Sequence, residues 1–178
     1  MALKLAAQPS FHVVLVEPEI PGNTGTIGRL CLGAGARLHL VHPLGFSLEE
    51  KYLLRAGLDY WSHVDLYSWD SRQTFFEASL GPGTGYEHAS GLVPEQFWML
   101  SSKGTTPYWS AEFRPGDTLV FGAETRGLPE SWLHARPDRV LTIPTVEVRS
   151  LNLACSVGIV LFEALRQIGG PCKSSPAL

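Results

Sequence analysis

The chain has 178 residues, 44% of them hydrophobic and 17% charged, with a formal net charge of −3. That is the size and composition of one globular domain with a substantial core, and no apolar run approaches the roughly 20 residues of a membrane span. The net acidity excludes holding nucleic acid by bulk charge and leaves a local basic patch, or one assembled between subunits. Met1–Ser10 carries one lysine and no long apolar core, so it reads as a flexible N-terminus and a poor secretory signal. Cys31, Cys155 and Cys172 form no CxxC pair and no metal-ligand pattern. Reduced thiols in a cytoplasm are the expected state, with Cys31 and Cys155 as small core fillers in helical patterns.

Phe11–Val16 is a continuous apolar run and reads as a buried first strand. Glu17-Pro-Glu-Ile-Pro-Gly22 cannot continue it. Asn23 or Thr24 can cap a helix from about Gly25 to Ala34, where Ile27, Leu30 and Cys31 recur at helical spacing and Gly33 and Gly35 end the run. Arg37–Val41 is a second strand. Ser47 can cap a helix over Leu48–Ala56, Val64–Tyr67 is a short strand, and a helix follows from Ser71 to about Leu80. Gly81–Val93 holds four glycines and two serine or threonine residues and reads as an exposed loop. Gly81-Pro-Gly-Thr-Gly85 follows a helix rather than a strand, so it fails the dinucleotide fingerprint, and no phosphate-binding loop is present.

Phe97–Leu100, Thr118–Phe121 and Val140–Ile143 complete the strands. From Asn152 the pattern is helical: Leu153, Val157, Val160, Leu161, Ala164, Leu165 and Ile168 make one apolar stripe, and Gly169-Gly170-Pro171 stops it. Residues 11–168 therefore form a single domain with a flexible tail over 169–178. Strands alternating with helices specify an α/β fold, a mostly parallel twisted sheet with helices on both faces. Two loops at strand ends stand out: Phe121-Gly-Ala-Glu-Thr-Arg-Gly-Leu-Pro129, and Ile143-Pro-Thr-Val-Glu-Val-Arg-Ser-Leu-Asn-Leu153. The carboxyl edge of an open α/β sheet is where ligands bind, so the pair suggests a small-molecule pocket.

Three segments taken together carry a family resemblance: Pro18-Glu-Ile-Pro-Gly-Asn-Thr-Gly25 with Arg29, the Phe121–Leu128 loop, and Ile143-Pro144 with Arg149-Ser-Leu-Asn-Leu153. In order and spacing, from about residue 11 to residue 168, they resemble the SPOUT class of RNA methyltransferases. Within its ribose 2′-O-methyltransferase branch, the chain looks most like the minimal form that modifies the wobble nucleotide, cytidine or uridine 34, of tRNA. The resemblance implies a C-terminal trefoil knot, although knotted chains are otherwise rare. It also implies S-adenosylmethionine as methyl donor without a metal, a homodimer, and the tRNA anticodon stem-loop as substrate. The same chemistry on another tRNA or rRNA site, or a non-catalytic RNA-binding or assembly factor, are the alternatives. The stretch between Pro144 and Arg149 is short and lacks the methionine common after the proline, and Gly81–Val93 is longer than the compact family form needs.

The resemblance assigns roles that residue chemistry alone leaves open. Leu100, Gly122, Ile143, Ser150, Leu151 and Asn152 would line the cofactor site; on pattern alone they are strand ends, a turn glycine and a helix entry with Asn152 as its cap. Glu124 and Gly127 would shape the loop, Glu124 by accepting neighbouring backbone amides or simply by pairing with Arg126. Arg29 and Asn23 would be catalytic, against a solvated helix arginine and a helix cap. A guanidinium, with a pKa above about 12, is a poor base. Arg29 is therefore better suited to stabilise a developing alkoxide and clamp a phosphate. Arg149 and Arg126 are candidate RNA contacts, with Arg136 and Arg139 behind them. Phe162 and the last helix are a plausible dimer contact or simply core.

Overall fold

In the computed structural model the described residues are 9–47, 60–79, 92 and 96–171. The expected helix over Leu48–Ala56, the Gly81–Val93 loop (Leu92 apart), nearly all of the N-terminal segment, Cys172 and most of the tail lie outside them. Among the described residues, seven strands form one sheet: β1 (His12–Val16), β2 (Arg37–Val41), β3 (Leu66–Trp69), β4 (Phe97–Leu100), β5 (Thr106–Pro107), β6 (Thr118–Phe121) and β7 (Val140–Thr142). The order is β3-β2-β1-β6-β4-β7-β5 and every pairing is parallel.

Alternation along the strands splits the core in two. Phe11, Val13, Leu15, Leu38, Leu40 and Leu119 face one way. There they meet Ile27, Cys31 and Ala34 of α1 (Pro21–Ala34) and the stripe from Leu153 to Leu165 on the C-terminal helix. Val14, Val16, Val41, Met99 and Val120 face the other way, against Phe75 of α2 (Arg72–Ser79) and Trp132 and Leu133 of α3 (Glu130–Ala135). Helices thus cover both faces, as the strand–helix alternation implies. The C-terminal helix, α4 (Leu153–Gln167), packs beside α1 on the first face.

Several boundaries differ from the sequence reading, each for a local reason. Helix α1 starts at Pro21, not near Gly25. A proline fits the first turn because its missing N–H would have no helical partner there. Asn23 and Thr24 are therefore inside the helix and cap nothing; the capping position is Ile20, whose side chain makes no capping hydrogen bond. Gly33 is interior, and Gly35 alone ends the helix, at φ 62°. β3 begins two residues late because Trp61–His63 forms a 3₁₀ turn and the Val64 N–H is bonded to the Trp61 carbonyl. β5 is two residues long and α3 six, too short for a periodic signal. Cys31 is buried as expected, but Cys155 is exposed: it lies two residues from both Leu153 and Val157, off the stripe they share.

On the second face, His12 and His39 are buried in hydrogen-bond contact, with His12 Nδ1 2.9 Å from His39 Nε2. Trp69 Nε1 donates to His39 Nδ1 at 3.2 Å. That donor fixes the tautomers: His39 carries its proton on Nε2 and gives it to His12 Nδ1. Burial pushes the His12 pKa down to about 4, helped by Arg37 and opposed by Asp65. His39 is likewise pushed well down by burial, then by His12 and Arg37. The folded state thus binds protons less readily than the unfolded chain, so stability is complete above about pH 6.5 and is lost as pH falls toward 4. His12 alone should account for roughly 3 kcal/mol of that loss. Urea unfolding across this range should show the slope, and His12→Gln, which keeps an acceptor without a titrating ring, should reduce it to the share of His39; an unchanged slope would contradict this origin.

Candidate active site

Because all strands run the same way, the carboxyl ends of β1, β4, β6 and β7 meet at one edge. The sheet order changes direction beside β1, the kind of place where α/β folds open a crevice. A cavity of about 590 Å³ lies there. Ile20 and Asn23 wall it from the β1–α1 side, Leu100 to Lys103 from the end of β4, Phe121 to Leu128 from β6, and Ile143 with Arg149 to Leu153 from the approach to α4. Asn23, Leu100, Gly122, Glu124, Arg126, Gly127, Ile143, Arg149, Ser150, Leu151 and Asn152 are all among these residues. Three segments remote in sequence therefore converge on one space.

The β6 loop folds back on itself. Ala123 and Gly127 form an antiparallel bridge, with the Gly127 N–H donating to the Ala123 carbonyl at 2.8 Å. Gly127 has φ 68°, a left-handed conformation that glycine adopts without strain. A Cβ on Gly122 would lie 2.1 Å from the Gly127 carbonyl carbon and 2.2 Å from the Leu128 nitrogen. Gly122 is thus required by the loop's own backbone, whatever else the cavity holds.

Glu124 ties this loop to the start of α1. Its carboxylate accepts from the Glu19 N–H at 2.7 Å, the Ile20 N–H at 3.2 Å and Asn23 Nδ2 at 3.0 Å. Asn23 Oδ1 in turn accepts from Asn152 Nδ2 at 2.9 Å. Asn152 Oδ1 caps α4 by accepting from the Ala154 and Cys155 N–H groups. Asn152 is therefore the helix cap expected from sequence and also a link to α1. Glu124 does not pair with Arg126. It holds backbone amides, but those of the β1–α1 loop rather than of its own.

Two further carboxylates, to which the sequence reading assigned no role in the site, complete the clasp. Glu19 accepts from the Thr125 N–H at 3.0 Å and from Thr125 Oγ1 at 2.8 Å, and these bonds lower its pKa. Glu17 is buried at φ 53° and pairs with Arg72 at 2.7 Å and Arg126 at 3.3 Å. The Glu17-Pro-Glu19 pair, facing a loop rich in donors, is the signal that could have found them.

The arginines separate. Arg149 is exposed at the cavity wall, with no ion-pair partner among the described residues. Arg126 is engaged by Glu17 and Glu19. Arg136 and Arg139 do not cluster at the pocket: they lie over the rings of Phe97 and Trp98, at the opposite end of β4. Arg29 is exposed on α1, outside the cavity wall, with its guanidinium carbon 4.4 Å from the centre of the Tyr60 ring. Its neighbours Thr26 and Gly33 are exposed as well, so its face of the helix is open.

The chain matches the model of the SpoU rRNA Methylase family over residues 10–162. It is 44% identical over 164 residues to a tRNA (cytidine(34)-2'-O)-methyltransferase of Saccharophagus degradans, covering 89% of this chain and 96% of that one. A solved structure concerned with 2-OH methylation of C/U34 on tRNA superposes with a TM-score of 0.76 at 44% identity, covering 89% of this chain and 96% of the other. An AdoMet-bound rRNA methyltransferase from Sinorhizobium meliloti matches at TM-score 0.72 and 26% identity, over 90% of this chain and 57% of its own. Sequence motifs, parallel sheet and overall match agree: the chain belongs to the SpoU methylase family of the SPOUT class, whose fold implies a knotted C-terminal half.

Proposed function

We propose that this chain methylates the ribose 2′-hydroxyl of nucleotide 34, cytidine or modified uridine, in tRNA. It would act in the cytoplasm as a homodimer, with residues 11–168 as its single methyltransferase domain. The observation that carries this reading is the convergence of its three motif segments on one cavity at the sheet's carboxyl edge, in a chain so similar to a C34 enzyme over nearly its whole length. Among the described residues no helix is long and apolar enough to cross a membrane.

The cavity fits S-adenosylmethionine. Its volume of about 590 Å³ is that of a small-molecule site. Leu100, Ile143 and Leu151 offer apolar walls for an adenine ring, and Gly122, Ser150 and Asn152 offer backbone and small polar groups beside them. When bound, the cofactor supplies an electrophilic sulfonium methyl group. Glu124 and Gly127 keep the β6 loop in the shape that leaves this space open.

A ribose hydroxyl is a weak nucleophile until its proton begins to leave. Arg29 stabilises the developing alkoxide and clamps a neighbouring phosphate through two parallel N–H donors. The proton then passes to phosphate or water. Asn23 holds the start of α1 against Glu124 and Asn152, and so sets where that helix points. Arg29 lies six residues beyond Asn23, about 9 Å along the axis and roughly 120° around it. It therefore points away from the cavity of its own chain, and a second copy, with its cavity facing this α1, would receive it. Leu32 on α1 and Phe162 on α4 are large apolar side chains left 39% and 51% exposed, and support such a contact. Arg149, without an ion-pair partner among the described residues, is the stronger RNA contact; Arg126 would first have to leave Glu17 and Glu19.

The reading is tested by methyl transfer from labelled S-adenosylmethionine to unmodified tRNA, with calorimetry of cofactor binding. Arg29→Ala should lower kcat at least about 100-fold while leaving the cofactor Kd within about threefold, since Arg29 does not line the cavity. Near-normal turnover would contradict the catalytic assignment. Gly122→Ala should weaken cofactor binding more than about tenfold, because the loop cannot close over an added methyl group; unchanged affinity would show that this wall is not the cofactor's.

A further inference from the structure

The 3₁₀ turn at Trp61–His63, with Tyr60 before it, packs against one stretch of α1. Tyr60 donates its hydroxyl to the Gly25 carbonyl at 2.7 Å. In a regular helix that carbonyl also receives the Arg29 N–H, so the phenol grips the turn from which Arg29 projects. Trp61 lies over Gly28, where an added Cβ would come within 2.6 Å of Cζ3 of the indole. A glycine inside a helix weakens it, and here it makes room for the ring. The face of Tyr60 then carries the Arg29 guanidinium at 4.4 Å. An exposed arginine normally samples many rotamers; this one rests on a ring that is itself anchored to the same helical turn.

We infer that Tyr60 is a positioning residue for Arg29: its ring preselects the guanidinium orientation from which Arg29 meets the RNA. The inference rests on Arg29 acting in methyl transfer, as proposed above. Tyr60 is not among the residues that line the cavity, so its effect should fall on turnover and not on cofactor affinity. The ring face, rather than the hydroxyl, carries the interaction with the cation.

Methyl transfer to tRNA and calorimetry of S-adenosylmethionine binding, with thermal melting as a fold control, separate these effects. Tyr60→Leu should lower kcat by about tenfold with cofactor Kd and KM unchanged. Tyr60→Phe, which keeps the ring face, should stay within about threefold of wild type. In an Arg29→Ala background, read in single turnover with excess enzyme, Tyr60→Leu should add no further loss, because both substitutions remove one function. If Tyr60→Leu fails to fold, Tyr60→Met carries the same expectation. Wild-type turnover in Tyr60→Leu, equal losses in the Leu and Phe variants, or a fully additive loss in the double variant would each overturn the inference while leaving Arg29 in place. Normal turnover in Arg29→Ala alone would remove the catalytic assignment of Arg29, and Tyr60's role with it, while leaving methyl transfer itself in place.

Discussion

One carboxylate holds the site together. Helix α1 has no side-chain cap of its own and no acidic residue in its first turn. Its start is instead met by Glu124, which comes from a loop about a hundred residues later and takes the Glu19 and Ile20 amides and the Asn23 carboxamide. A carboxylate at a helix N-terminus is favourable both as a hydrogen-bond acceptor and against the helix dipole. Here the carboxylate comes from elsewhere in the tertiary structure and holds the two amides just before the helix, so forming these bonds fixes the β6 loop and α1 relative to each other. The Asn23–Asn152 bond extends the same chain to the start of α4. Two helices on one face of the sheet are thus oriented by a single connected set of polar groups at the cavity wall.

The topology explains why this set can exist. All strands are parallel, so the loops that follow β1, β6 and β7 emerge at one edge. β1 and β6 are neighbours in the sheet, which brings the β1–α1 and β6–α3 loops side by side. Glycine at position 122 lets the second loop fold flat enough to reach the first. The cavity is what remains between them. Arg29 stands apart from it, held by Tyr60 on an open helix face; this separation of the cavity wall from the arginine is what the proposed pairing of two copies would bridge.

Much of this was legible in the sequence. Three strands, Arg37–Val41, Phe97–Leu100 and Thr118–Phe121, have the bounds that their apolar runs specify. The stripe on α4 is buried as its spacing requires, apart from the half-buried Ile168. The cavity gathers the motif residues because motifs at strand ends share an edge in a parallel sheet. What the sequence hid was long-range. Nothing local says that Glu124 holds the approach to a helix begun at Pro21, so Asn23 or Thr24 reads as the cap. Glu17 and Glu19 draw no role in the site from sequence, because their partners Arg72, Thr125 and Arg126 are remote in the chain. Arg136 and Arg139 were misplaced because proximity in sequence to the pocket loops does not say which end of β4 they meet. Tyr60 has no periodicity to mark it, and its contacts with Gly25 and Arg29 become visible in three dimensions alone.

The dependence of the site on Glu124 is open to direct measurement by hydrogen exchange at single amides. In the wild type, the Glu19 and Ile20 amides should be protected, since the carboxylate accepts both. A Glu124→Gln variant offers one neutral acceptor where three donors converge, and exchange at these two amides should rise by at least about tenfold. The sheet amides of Val13 to Leu15 should stay as slow as before. Unchanged protection at Glu19 and Ile20 in Glu124→Gln would contradict the view that this carboxylate organises the site.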